Sequence, residues 1–204
     1  VLKVKNVTAI LHGTPSHVSP AKPKIVLPKK YLFTVSASYP HKNLNTLIKV
    51  FNELSKRDPK LYLVICGLSG SGSESLKNEI KNSPSRERIL ILGYITRAEL
   101  SYVYSHASVF VFPSVYEGFG YPVIEAMSYG VPVVSSNATS LSEVVGYGGV
   151  LVDPFDIEQY VRVVTKIVNN DEYRAQLIIR GRKRCEELNW ASTVMRTLSI
   201  IRSL

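Results

Sequence analysis

Cysteine is nearly absent from this chain: two occur in 204 residues, Cys66 inside an apolar run and Cys185 inside a basic one. That rules out a disulfide framework and a CxxC metal site. No stretch approaches the roughly eighteen uninterrupted apolar residues of a membrane span, and the first thirty residues lack the segments of a signal peptide. A soluble cytoplasmic chain, at most peripheral on the inner face of the plasma membrane, is therefore expected. Catalytic signatures are missing too. His12, His17 and His106 show no HExxH spacing, no GxSxG occurs, and no DxD is present to hold a metal. Acidic residues are scarce at the front, where residues 1–60 carry eleven Lys/Arg against only Glu53 and Asp58. The whole formal charge of +9 resides in that part. A polyanionic ligand or an anionic membrane surface suits it; no nucleic acid is expected, because no RNP, zinc-finger or helix-turn-helix pattern accompanies the charge.

What is present is an ordinary globular composition, with 45% hydrophobic and 20% charged residues, enough chain for one large domain. Val1 to Leu11 alternates apolar and polar residues like one strand. Residues 13–30 hold Pro15, Pro20, Pro23 and Pro28 among lysines, which resists helix and central strand alike. An interdomain strand and a Pro/Lys-rich linker are thus expected over 1–30, and a domain over 31–204. In that domain, short β-rich runs at 31–35, 61–66, 89–92, 109–112, 131–135 and 150–152 alternate with helical segments near 44–54, 74–82, 97–106, 122–129 and 140–145. Two or three longer helices fill 156–203. The alternation predicts an α/β fold, a doubly wound parallel six-stranded sheet of Rossmann-like type. Ligands of such sheets bind beyond the carboxyl ends of the strands. The residues in question are therefore Ser36 to Asn43, Gly67 to Ser73, Gly93 to Thr96, Pro113 to Gly120, Ser136 to Ser140 and Asp153 to Phe155.

Glu117 to Glu125 is the most unusual of these segments. Pro122 suits the first helical position and Gly130 the position past the end, which predicts a two-turn helix with its N-terminus toward the ligand. Gly118 and Gly120 remove side chains where an anion must approach main-chain N–H groups, so a diphosphate could dock there without metal. Glu125, read as lying in the first turn, could accept hydrogen bonds from a ribose diol, and Glu117 could reach hydroxyls beyond the phosphates.

The stretch PSVYEGFGYPVIEAM (113–127) resembles the E-x7-E motif of retaining GT-B glycosyltransferases of the large family 4 type. Gly130-Val-Pro-Val-Val134, Ser140-Leu-Ser-Glu143-Val, Val152-Asp-Pro154 and Asn189-Trp190 resemble further elements of that family, over about residues 31–203. The resemblance implies a nucleotide-sugar-binding half of a GT-B fold. Such a domain transfers a sugar from a nucleoside diphosphate sugar to a saccharide or lipid-linked acceptor, with retention and without a metal or other cofactor. Glu117 and Lys42 would be the catalytic groups, Lys42 neutralising the leaving diphosphate. Gly118, Phe119, Gly120, Glu125, Ser38, His41, Gly67, Tyr94, Ile95 and Ile124 would surround the donor. One departure stands out: where many relatives carry Gly-Arg after the first strand, this chain has Ser36-Ala37, so a second cation is missing or supplied by His41.

The resemblance also implies an N-terminal acceptor domain of the same protein that this chain does not contain. A mannose donor and bacterial polysaccharide or glycolipid synthesis are the expectation. A non-catalytic nucleotide-sugar-binding module and a GT-B nucleotide-sugar epimerase remain alternatives. A dehydrogenase is weaker, because Ser36 to Asn43 contains no glycine. The loop Gly67-Leu-Ser-Gly-Ser-Gly-Ser73 lacks the Gly-Lys-Ser/Thr of a P-loop and by itself reads as a flexible turn.

Overall fold

The computed structural model describes residues 7–70 and 72–203. Six short, mostly buried runs form one sheet: β1 (Tyr31–Val35), β2 (Tyr62–Cys66), β3 (Ile89–Leu92), β4 (Val109–Phe112), β5 (Val133–Ser136) and β6 (Val150–Val152). Their order is β3-β2-β1-β4-β5-β6, and each pairing is parallel. Helices α1 (Leu44–Arg57), α2 (Ser73–Asn82), α3 (Arg97–His106), α4 (Tyr121–Ser128), α5 (Ser140–Val145) and α6 (Ile157–Asn169) follow the strands in turn; α7 (Asp171–Glu187) and α8 (Trp190–Arg202) complete the chain. This is the Rossmann-like α/β architecture expected from the sequence.

Because successive strand residues point to opposite faces, the two cores sort by alternation. Tyr31, Phe33, Val64, Phe110, Phe112 and Val133 pack with α3, α4 and α5. On the other face Leu32, Leu63, Ile65, Val109, Val111 and Val134 pack with α1, α2 and α6. Both faces are covered, which is why the strands read as continuous apolar runs.

Local chemistry ends the elements where the motifs suggest. Gly130, at φ +73°, lies just past α4. Its N–H donates to the Met127 carbonyl and that of Val131 to Ala126, each at 3.0 Å, closing the helix with a Schellman turn. The fifth strand begins at Val133 rather than Val131, because Val131 is taken up by that turn and Pro132 has no N–H to give to a ladder.

The expected strand over Val1–Leu11 is corrected in part. Residues 1–6 lie outside the described residues, and residues 7–11 form no strand. The segment instead ties to the C-terminal helices: the Leu11 carbonyl accepts from Thr193 Oγ1 at 2.8 Å, and Thr14 N–H donates to the Leu188 carbonyl at 2.6 Å. Alternating pattern alone makes no strand where the chain meets helices rather than a free sheet edge. Residues 13–30 contain neither helix nor strand. Among the described residues no helix is long and apolar enough to cross a membrane.

Candidate functional site

Strand order reverses between β1 and β4, whose carboxyl ends release the loops 36–43 and 113–120. A doubly wound sheet leaves its crevice at that switch point. Asn43 ties the crevice together. Its backbone is left-handed, at φ 53°, and its Nδ2 donates to the carbonyls of Pro113 (3.1 Å) and Pro154 (2.7 Å), so one amide joins three loops. Val115 N–H donates to the His41 carbonyl at 2.8 Å, fastening the first loop to the fourth.

This lacing brings Lys42 and Glu117 together across 75 residues of chain. Lys42 Nζ donates to Glu117 Oε1 at 2.7 Å, with the two side chains only 18% and 11% exposed. The ammonium also lies 5.9 Å from the Phe112 ring centroid. Sheltering of this degree strengthens the mutual attraction of the pair at a cost in desolvation, and leaves either group without a counter-charge if the other is removed.

The two glycines beside Glu117 have different physical roles. A Cβ built on Gly118 meets nothing within 4 Å, so the main chain there faces open space. Gly120 sits at φ +99°, and a Cβ would come within 2.6 Å of Leu141 Cδ2, so this position requires glycine for the turn into α4. Thr96, Asp156, Asn170 and Asn189 cap α3, α6, α7 and α8 with their side chains. No side chain caps α4, and its first turn holds no acidic residue. Phe119 packs edge-on against His12, ring centroids 4.9 Å apart, and against Tyr121 at 5.1 Å.

Glu125 is the fifth residue of α4, one residue further in than expected, because the helix already begins at Tyr121. Its Oε2 accepts from Tyr104 Oη at 2.9 Å, and it lines a small cleft with Arg97, Ser101, Tyr129 and the strap Pro15–Val18. Burial raises its pKa above the ordinary carboxylate value; the Tyr104 hydroxyl and the Arg97 charge hold part of that rise back. Direct contact therefore joins Lys42 to Glu117, while Glu125 faces α3.

The other expected positions separate. Ser38 is buried and its hydroxyl donates to the Ser69 carbonyl at 2.9 Å. A Cβ on Gly72 would lie 2.0 Å from the Ser38 carbonyl oxygen, and Gly67 (φ +86°) sits over Ser36. Glycines of the loop from 67 to 73 thus permit close contact between the first two loops. His41 stacks on Tyr39 at 5.8 Å between centroids. Tyr94 is 98% exposed at the end of β3, while Ile95 packs partly into the core. Ile124, expected beside the donor, has a wholly buried side chain, and its carbonyl accepts from Cys185 Sγ. Helical phase turns it inward, three residues after the open entry at Tyr121.

Sequence reasoning missed Thr139, Ser140, Asn43 and Tyr104 as individual site residues. The loop Ser136 to Ser140 stood among the strand ends, but nothing in its composition reveals that Thr139 and Ser140 hold the main chain of Glu117. Among the described residues no group of three or more His, Cys, Asp or Glu is placed to hold a metal ion.

Comparison with known proteins adds a second kind of observation. The model of the family "Glycosyl transferases group 1" matches residues 17–184. The chain is 33% identical over 175 residues to the O-antigen chain mannosyltransferase B of Escherichia coli, covering 85% of this chain and 46% of that protein. Among solved structures, TarM superposes with a TM-score of 0.79 at 24% identity, over 97% of this chain and 39% of that one. Sucrose-phosphate synthase of Thermosynechococcus elongatus gives 0.75 at 26% identity, over 86% and 45%. The chain thus spans about half, or less, of the length of these relatives.

Proposed function

The chain belongs to the glycosyl transferases group 1 family, and on that premise we propose that it is the donor half of a retaining glycosyltransferase of the family 4 type. The carrying observation is the sheltered Lys42–Glu117 pair, 2.7 Å long, beside the open main chain of Gly118 at the switch point of the sheet. A nucleoside diphosphate sugar offers each member of the pair a new partner in exchange for the other. Its diphosphate takes the ammonium of Lys42 and the uncapped start of α4, and its sugar hydroxyls take the carboxylate of Glu117. Transfer breaks the bond from the anomeric carbon to the diphosphate oxygen and forms one to an acceptor oxygen, whose proton is released. Lys42 stabilises the charge that develops on the leaving diphosphate.

Glu125 is the ribose acceptor in this reading, and Tyr94 and Ile95 lie toward the base. Metal is not required, because lysine and helix dipole carry the positive charge. The mannosyltransferase relative supports mannose as the sugar transferred; GDP-mannose is the donor in this reading, and a growing bacterial polysaccharide or lipid-linked saccharide the acceptor. An upstream domain of the same protein would hold that acceptor. Support comes from α8, which buries none of its residues and leaves Trp190, Val194, Met195, Leu198 and Ile201 exposed. Cytoplasmic work at the inner membrane face suits the lysine-rich first sixty residues.

A thermal-shift panel of UDP, GDP, ADP and their sugars tests the reading. GDP and GDP-mannose should raise the melting temperature of the chain, and Lys42→Ala should weaken binding about tenfold or more, the worth of one charge-assisted hydrogen bond. If no nucleotide in the panel shifts the melting temperature, the proposal fails.

A further inference from the structure

Thr139 is held at φ 48°, ψ −129°, a combination that glycine populates and a β-branched residue avoids. The other non-glycine residue at positive φ among those described is Asn43, a type that tolerates the left-handed region. Thr139 stands at the N-cap of α5, where a threonine hydroxyl would ordinarily accept from the helix, yet it makes no cap hydrogen bond. Its hydroxyl is spent elsewhere. Thr139 Oγ1 accepts from Glu117 N–H at 3.0 Å and donates to the Glu117 carbonyl at 3.2 Å. Ser140 Oγ donates to the same carbonyl at 2.9 Å and lies 3.2 Å from that of Phe119. Both main-chain polar groups of Glu117 therefore end on Thr139, just before Gly118, which no neighbouring atom confines.

We propose that Thr139 is a positioning residue of the donor site: its hydroxyl, aimed by a strained backbone, holds the main chain of Glu117 so that the carboxylate meets Lys42. The role in donor binding rests on the function proposed above; the hold on Glu117 stands on geometry alone. A threonine is costly at this φ, and the cost is borne at a residue whose side chain gives α5 nothing. Strain of this kind persists where the surroundings require one conformation, here the one that presents the hydroxyl to the neighbouring loop.

Three variants of the 204-residue chain separate the hydroxyl from the backbone. Thr139→Ser keeps the hydroxyl; Thr139→Ala loses it and keeps the strain; Thr139→Gly loses it and relieves the strain. Expected affinity for GDP-mannose and UDP-glucose, by titration calorimetry, follows the hydroxyl. For whichever donor binds, Ser stays within about twofold of the parent, whereas Ala and Gly fall about five- to tenfold. Amide hydrogen exchange of Glu117 should quicken in the same two variants. The melting temperature should follow the backbone instead, with Gly above Ala.

Affinity that ranks with melting temperature would overturn the positioning role, as would unchanged exchange at Glu117 in the Ala and Gly variants. If the parent chain binds neither sugar nucleotide while Glu117 exchange still follows the hydroxyl, the donor reading and Thr139's part in it fall, and only the main-chain hold remains.

Discussion

Glu125 shows at the scale of one residue how a group proposed to bind the donor is kept at a cost to folding. Burial raises its carboxyl above the ordinary value, with Tyr104 and Arg97 offsetting part of the rise. The native state therefore holds this proton more tightly than the unfolded chain, where a glutamate titrates near about pH 4.3. Stability contributed by Glu125 falls as pH rises from that value through the raised native one, and the full cost is present above the native value. Glu125→Gln keeps an acceptor for Tyr104 and removes the titration. Its urea midpoint should exceed the parent's at pH 7, and the gap should close below about pH 4. An equal gap at both pH values would show that shape rather than charge sets the cost. The E-x7-E spacing singles out two carboxylates in the sequence; that one meets a lysine and the other a tyrosine depends on which loops and helices surround them.

The start of α4 shows the same division at the scale of an element. Two glycines within three residues looked equivalent in sequence, both read as room for an anion. In the fold only Gly118 is open, whereas Gly120 is required by its φ of +99° and by Leu141. Gly118→Ala should leave the melting temperature nearly unchanged, within about 0.5 kcal/mol of the parent in stability, and weaken donor binding. Gly120→Ala should cost about 1–3 kcal/mol through strain and overpacking. For a chain of this size each kcal/mol lowers the melting temperature by about 2–4 °C, which differential scanning calorimetry resolves. Reversed sensitivities would mean that the open face lies at Gly120. Most element boundaries were legible to within a residue or two, since apolar runs, prolines and glycines mark them directly. The expected strand at Val1–Leu11 was not confirmed over 7–11, because a strand needs a partner edge and a local pattern carries no record of one.

For the whole molecule, the notable feature is a C-terminal helix that contributes nothing to the core. α8 keeps Val194, Met195, Leu198 and Ile201 exposed and holds the segment at Leu11 through Thr193. The triple change Val194→Gln, Leu198→Gln and Ile201→Gln should therefore leave the melting temperature of this chain within about 1–2 °C of the parent. In a protein that carries the proposed upstream domain against this face, the same change should lower the proposed sugar transfer. A large fall in the melting temperature of the chain alone would show that α8 is already docked. Lys42 and Glu117 make the complementary case. Each could be named from its motif, but their pairing is a product of sheet order, since β1 and β4 lie side by side although β2 and β3 intervene in sequence.

Sequence alone determined the class of fold, the places of the strands and helices, and the residue types at the ligand edge. These depend on periodicity, turn chemistry and backbone preference, all of which act over a few neighbouring residues. Tertiary structure decided which carboxylate faces a cation, which glycine is open, and that Thr139 holds Glu117. Those are contacts between segments 21 to 75 residues apart, and only the parallel sheet, by setting its loops along one edge in an order different from the chain's, brings them within reach.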